Sequence, residues 1–392
     1  MLERITVGAP DALMEVTRLY REDPRPEKID LGLGTYRDPT GATPVMAAVK
    51  KAERHLVRTQ ATKSYLRPCG DTRFTSLMLE LILPAKLGQD PRIVAIQTPG
   101  GTGAFRIGAE LIRAASPGAT VLVGLPTWPN HVPILDAVGL RTRTYPHYDL
   151  SLGKLCFDET ADALMRAEAG DVVVLHASCH NPSGADFTLQ QWRRLAGLVR
   201  EHGLVPFLDL AYHGMGRGLT EDMEGPAMVL ESAAEALVAL SCSKSFGLYR
   251  DRVGALIVLA RDAAGAEAIL SRLEQIARVT WSMPPDHGAA VVRTILESSE
   301  LGSLWRDELG RMRGRVGQIR ARLAGDLAAA PFAPAFGGDR LGMFALLPLA
   351  PEQIQTLRVE HAIYLASNGR MNIAGLKDQD LERFAGALGS VL

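Results

Sequence analysis

Six short apolar runs, separated by longer stretches of helical periodicity, decide what this chain can fold into. RIVAIQ (92–97), TVLVGL (120–125), DVVVLHA (171–177), GLVPFLDL (203–210), EALVALS (235–241) and GALIVLA (254–260) are rich in Val, Leu and Ile and show little polar alternation. That is the pattern of strands buried on both faces, as in a mainly parallel sheet. Between them GAFRIGAELIRAA, TLQQWRRLAGLVREHG and AAGAEAILSRLEQIAR place apolar residues at three-and-four spacing, and Gly203 stands where a helix C-cap glycine belongs. Alternating β and α specifies an α/β fold with a doubly wound sheet.

At 392 residues the chain exceeds what one core usually holds, so two unequal domains are expected. After about residue 310 the rhythm changes to a charged helix, ELGRMRGRVGQIRARLAGDL, then strand candidates around GMFALLPL and AIYLAS, then a final helix, KDQDLERFAGALGSVL. The first 45 or so residues lack the βα rhythm and belong with that second unit or form an arm. A formal net charge of −1 gives no general attraction to nucleic acid or anionic membrane. No stretch has the length of a membrane span or of a signal-peptide core, so an unexported, cytoplasmic protein is expected. Cys69, Cys156, Cys179 and Cys242 form no Cys-x-x-Cys pair, which argues against a disulfide framework or a zinc knuckle, and no metal site is expected.

Open α/β sheets place ligand sites at the carboxyl ends of their strands, and three of the apolar runs end in polar clusters. Ser178-Cys179-His180-Asn181-Pro182-Ser183-Gly184 follows the first, Asp209 and Tyr212 the second, and Ser241-Cys242-Ser243-Lys244 the third. Each has a plain alternative. The Asn-Pro-Ser-Gly segment is good turn chemistry, Asp209 could join a structural ion pair, and most lysines solvate a surface. Yet a desolvated lysine can lose its proton and attack a carbonyl, and Ser241, Ser243 and Arg252 together suit a phosphate. Pro99-Gly100-Gly101-Thr102-Gly103-Ala104-Phe105-Arg106 reads either as a flexible loop or as glycines opening a helix whose first N–H groups bind an anion; it is neither a P-loop nor a clean dinucleotide fingerprint. Arg370 and Arg278 are candidate carboxylate ligands or surface arginines.

Taken in order, these segments resemble the class I pyridoxal-phosphate-dependent aminotransferases, specifically the aspartate and aromatic-amino-acid enzymes, over nearly the whole chain. The strongest match is Ser241-Cys242-Ser243-Lys244-Ser245-Phe246-Gly247-Leu248-Tyr249-Arg250-Asp251-Arg252-Val253-Gly254, similar to the family's Ser-x-Ser-Lys-x-Phe-Gly-x-Tyr-x-x-Arg-x-Gly. The resemblance implies that Lys244 holds pyridoxal 5'-phosphate as a Schiff base, and that Ser241, Ser243, Arg252, Gly101 and Thr102 hold its phosphate. Trp128 would cover the ring, Asn181 and Tyr212 would bond the phenolic oxygen, and Asp209 would pair with the ring nitrogen, with His176 behind it. Tyr65 would reach the phosphate of a neighbouring subunit and Arg278 would read a substrate's distal carboxylate there, which implies a homodimer. Arg370, assisted by Asn181 and the backbone of Gly34, would bind the α-carboxylate; Trp128 and Phe344 lie nearby.

The same resemblance implies a fold-type I transferase: a large domain with a mainly parallel seven-stranded sheet between helices, plus a smaller α+β domain. Its expected division is an arm over 1–12, a first small-domain part over 13–44, the large domain over 45–310 and a second small-domain part over 311–392. The implied reaction is transamination of aspartate and/or an aromatic L-amino acid with 2-oxoglutarate by a 1,3-proton shift, with Lys244, Asp209 and Tyr212 catalytic. Ser183, Ser245, His213 and Met283 depart from the common pattern, and Met283 beside Arg278 leaves an enzyme with little aspartate activity as the alternative. A non-catalytic cofactor-binding regulator is the rival from another class; such a protein would carry an additional DNA-binding module.

Overall fold

All six apolar runs form strands of one seven-stranded sheet in the computed structural model, which describes residues 2–8 and 12–391. Across the sheet the order is Ile93–Pro99, Val253–Leu259, Ala236–Ser241, Val205–Leu210, Val172–His176, Thr120–Leu125 and Arg141–Pro146. Val253–Leu259 runs antiparallel to both neighbours and the remaining pairs are parallel. The seventh strand, Arg141–Pro146, has the sequence RTRTYP and lies mostly exposed at one edge. Charges and a terminal proline protect such an edge from further pairing, and they also hide it from a reading based on apolar runs.

The strands divide their side chains between two helical layers, as a period of two requires. Val172 and Val174 face one core with Phe105, Ile107, Phe207 and Leu256, beneath the helices Gly100–Ala115 and Ala263–Thr280. Val173 and Leu175 face the other, with Phe74, Trp192, Leu195, Val291 and Trp305. Each such fully buried side chain contributes about 1.5–3 kcal/mol relative to exposure, so the sheet anchors the molecule. The helix Leu189–His202 starts with a Thr188–Gln191 capping box and stops at Gly203, whose φ of 61° is left-handed.

The charged helix begins earlier than its sequence suggests and runs unbroken over Ser299–Asp326. A third apolar cluster joins Ile29 and Leu31 to Ile319, Leu323, Phe336, Leu357, Ile363 and Phe384. It is laced by two small strand pairs, Ile29–Asp30 with Ile363–Tyr364 and Phe344–Leu346 with Arg370–Asn372. Among the described residues no helix is long and apolar enough to cross a membrane.

Candidate active site

The ends of the three central strands and the start of the helix Gly100–Ala115 converge on one cavity. Gly101, Thr102, Trp128, Asn181, Asp209, Tyr212, Ser241, Ser243, Lys244 and Arg252 line it, so ten residues singled out in the sequence meet there.

One end of the cavity is built for an anion. Pro99 offers no side-chain cap to the helix that follows, so the first N–H groups are left for a ligand. A Cβ on Gly100, whose φ is 72°, would stand 2.5 Å from Nη2 of Arg252, and one on Gly101 would stand 3.0 Å from Cβ of Ser241. Only glycine lets the backbone approach this closely. Arg252 donates through Nη1 to Ser243 Oγ at 3.2 Å and to Tyr249 O at 3.3 Å, which aims the guanidinium along the cavity wall.

The Lys244 amino group lies 4.9 Å from the centroid of the Tyr212 ring. Burial lowers its pKa to about 8, the Arg252 and Arg370 charges act the same way, and Asp209 opposes them. For Asp209 burial pulls upward, but the hydrogen bond from His131 and the charges of His131, His176 and Lys244 outweigh it, and the net shift is downward. It is therefore a carboxylate at neutral pH. Burial, reinforced by the Asp209 charge, raises Tyr212 well above its ordinary value.

Behind Asp209 stands a histidine that the sequence reading did not single out. His131, not His176, meets the carboxylate, with Nε2 3.1 Å from Oδ2. His176 stands one step further back, joined to His131 through the Thr127 hydroxyl at 3.1 and 2.8 Å, and burial lowers its pKa to about 3. His131, His176 and Asp209 offer ligand atoms within 4.8 Å of one another, yet the hydrogen bonds through Thr127 account for that spacing. Phe105 was also missed: it lines the cavity, stacks on Phe207 at 4.6 Å and 11°, and lies 4.6 Å from the His131 ring. Thr127 and His131 lie within three positions of Trp128 in the sequence; only the three-dimensional contact gives them a role.

Arg370 is 4% exposed and adjoins the cavity. Its Nη2 donates to Gly32 O at 2.8 Å and its Nη1 to Asn181 Oδ1 at 3.4 Å, while its guanidinium carbon lies 4.8 Å from the Phe344 ring. Asn181 in turn donates to the Tyr212 hydroxyl at 3.4 Å, and Tyr212 meets Phe344 edge-on at 5.7 Å. A Cβ on Gly34 would fall 2.9 Å from Phe344 Cζ, so this glycine admits the ring. Gly34, Asn181, Phe344 and Arg370 are thus brought together. Tyr65, 91% exposed, and Arg278, exposed and bonded to Ser282 Oγ at 2.6 Å, do not line the cavity of their own chain.

The sequence profile described as aminotransferase class I and II matches residues 26–388. The chain belongs to this family. Among relatives of this aminotransferase, the tyrosine aminotransferase of Rhizobium meliloti (strain 1021) is 46% identical over 100% of each chain. The aspartate aminotransferase of Escherichia coli (strain K12) is 40% identical, again over 100% of each. Among solved structures, an aromatic-amino-acid aminotransferase from Burkholderia pseudomallei covalently bound to pyridoxal phosphate has a TM-score of 0.96 at 35% identity, covering 100% of this chain and 99% of that one. An aromatic amino acid aminotransferase with 3-indolebutyric acid has a TM-score of 0.95 at 41% identity over 100% of each chain. The aminotransferase is a fold-type I enzyme, and its cofactor is pyridoxal 5'-phosphate.

Proposed function

We propose that Lys244 both anchors the cofactor and carries the substrate's α-proton, in transamination of aspartate and/or an aromatic L-amino acid with 2-oxoglutarate. The observation that carries this reading is a buried lysine, with its pKa lowered to about 8, in a cavity whose other walls are an anion-binding helix start and a carboxylate backed by His131.

The donor set fits the cofactor. The glycine-opened helix start with Thr102, Ser241, Ser243 and Arg252 suits a dianionic phosphate, with the close approach at Gly100 and Gly101 as the structural sign of it. Asp209 would hold a proton on the ring nitrogen, Trp128 would stack on the ring, and Asn181 and Tyr212 would bond its phenolic oxygen. His131 and, through Thr127, His176 keep Asp209 ionised for that task. When bound, the cofactor supplies an electron sink for the pair left by the departing α-proton. Lys244 Nζ takes that proton, which requires its neutral form and so depends on the lowered pKa. Arg370, with its fork steadied by Gly32 and Asn181, would bind the α-carboxylate beside Phe344 and Gly34.

Tyr65 and Arg278 would act across a homodimer, each reaching the cavity of the other subunit. Residues 13–44 and 311–392, whose described part shares a separate apolar cluster, would form the smaller domain, 45–310 the large one and 1–12 an arm that lies partly outside the described residues, and a cytoplasmic setting suits a chain with four free thiols. The deciding experiment presents cofactor-loaded protein with aspartate, phenylalanine and tyrosine in turn and follows conversion of the bound cofactor's absorbance to the amine form, then its reversal by 2-oxoglutarate. Conversion by at least one is expected; no response to any would overturn the reading.

A further inference from the structure

The helix Ser299–Asp326 contributes nothing to the cavity wall, yet three of its side chains donate to main-chain carbonyls at or beside three functional residues. Trp305, fully buried, donates Nε1–H to the carbonyl of Ser245, the residue after Lys244, at 2.8 Å. Its ring stacks on Phe246 at 4.5 Å and 4°. Arg313 donates Nη1–H to Gly214 O, two residues past Tyr212, at 2.9 Å. Arg320 is buried, and its hydrogen bonds all go to backbone carbonyls: Nη1 to Ala335 at 3.1 Å, and Nη2 to Phe344 at 2.7 Å, Gly342 at 3.0 Å and Leu341 at 3.3 Å. Phe344 is the ring that lies against Arg370 and Tyr212.

The helix is constructed to present these groups on one side. Its buried residues Gly302, Trp305, Leu309, Met312, Val316, Ile319 and Leu323 recur at alternating three-and-four spacing, a single inward stripe. Trp305, Arg313 and Arg320 fall within about 80° of arc, at about 3.6 residues per turn, and span about 22 Å of axis. The start of the helix Ala47–Thr59 is tied to the same rod, because Glu308 accepts from the N–H groups of Ala47 and Ala48 at 2.7 and 3.0 Å. Burying the Arg320 guanidinium with no ion-pair partner among the described residues is costly enough to lower its pKa to about 10, so the contact with the Phe344 carbonyl is maintained against a penalty.

We propose that this helix is a positioning spine that sets the spacing between Lys244, Tyr212 and the Arg370–Phe344 corner, with Trp305, Arg313 and Arg320 as its positioning residues. The proposal rests on the roles given above to Lys244, Tyr212 and Arg370. Removing one donor leaves a buried carbonyl unsatisfied and frees the segment it held. A displacement of about 1 Å at a reacting group costs on the order of 100-fold, so a partial relaxation is expected to cost about tenfold.

The three contacts should fail in different ways. Trp305→Phe keeps the stack on Phe246 but loses the donor; kcat per bound cofactor should fall about tenfold with KM little changed. Arg313→Met should move the pH midpoint of the bound cofactor's absorbance, because Tyr212 borders the phenolic oxygen, and Arg313→Lys should restore part of it. Arg320→Met should raise KM for the amino acid about tenfold while leaving the cofactor's absorbance unchanged, with Arg320→Lys intermediate and available should the methionine variant fold poorly. Arg322→Ala removes an exposed pair with Asp326 on the same helix and should match the parent enzyme. If the Trp305, Arg313 and Arg320 variants all keep the parental kcat, KM and absorbance titration while losing only thermal stability, the spine is structural and the proposal fails. Turnover by Lys244→Ala would instead overturn the assignment of the lysine.

Discussion

His131 faces Asp209 across 3.1 Å, and that contact polarises a chain of hydrogen bonds running away from the cavity. A carboxylate only accepts, so His131 donates from Nε2, and in the neutral imidazole Nδ1 is left as an acceptor. The Thr127 hydroxyl, 2.8 Å from Nδ1, must then spend its one proton there and accept from His176 Nε2 at 3.1 Å. With both imidazoles neutral, each is the Nε2–H tautomer. Phe105, stacked on Phe207, holds the His131 ring from the side.

Replacing His131 with leucine should therefore raise the pKa of Asp209, since the hydrogen bond and electrostatic pull that oppose burial are lost. An unpaired buried group costs about 1–3 kcal/mol, so kcat should fall by roughly 5- to 150-fold and the acid limb of its pH profile should move to higher pH. Dialysis should also strip the cofactor sooner. An unmoved acid limb, measured across the profile, would show that Asp209 does not depend on this histidine.

The lowered pKa of Lys244 predicts how the stripped protein takes up its cofactor. Only the neutral amine attacks a carbonyl, and its fraction rises with pH until the pKa of about 8 is passed. The rate of attachment should climb about tenfold per pH unit below that value and flatten above it. Lys244→Ala and Lys244→Arg should attach none and turn over no substrate. Stopped-flow absorbance over roughly pH 6 to 9 checks this; a flat profile would place the amine in a different environment.

Six of the seven main strands are legible because burial on both faces forces continuous apolar runs, whereas the edge strand Arg141–Pro146 needs polar residues and so loses that signal. The same logic separates the parts of the site. Lys244 and Asn181 come within four residues of the ends of such runs and Asp209 is next to last in one, so their place at strand ends can be read locally. The carboxylate corner cannot be: Arg370 and Gly32 are 338 positions apart, and His131 and Asp209 are 78 apart, so only a resemblance or the folded chain joins them. Trp305 and Arg320 look like ordinary members of a charged helix until their carbonyl partners are seen.

The buried histidines should make the enzyme acid-labile. Burial lowers His147 from 6.5 to about 4 and His176 from 6.5 to about 3. Such groups bind protons in the unfolded chain first, so their contribution is complete above pH 6.5 and is lost as pH falls from there toward 4 and below. His147 stacks on His180 at 4.3 Å and meets Phe187 edge-on at 5.2 Å, surroundings that accept a phenyl ring. His147→Phe should flatten the decline of Tm between about pH 6.5 and 4, seen by calorimetry at several pH values. A decline as steep as the parent's would assign the lability to other groups.

Arg278 supplies a test of subunit sharing that also probes substrate choice. It ends the helix Ala263–Thr280 beside Val279, which is 85% exposed, and Tyr65 lies beside the exposed Leu66. The two sites belong to one face, since Arg67 in the Tyr65 segment pairs with Glu274 of that helix at 2.8 Å. Apolar side chains exposed together beside functional residues are what a subunit contact requires. Arg278→Leu should then lower kcat/KM for aspartate by roughly 10- to 100-fold, the worth of a charge-assisted bidentate contact, while sparing phenylalanine, which has no distal carboxylate. Lys244→Ala alone should be inactive. Mixing the two variants under conditions that exchange subunits should restore aspartate turnover, because one mixed site pairs an intact Lys244 with an intact Arg278 from the other chain. If mixing restores nothing although subunits demonstrably exchange, Arg278 serves its own chain or no site at all, and the exposed face around Val279 and Leu66 needs another occupant.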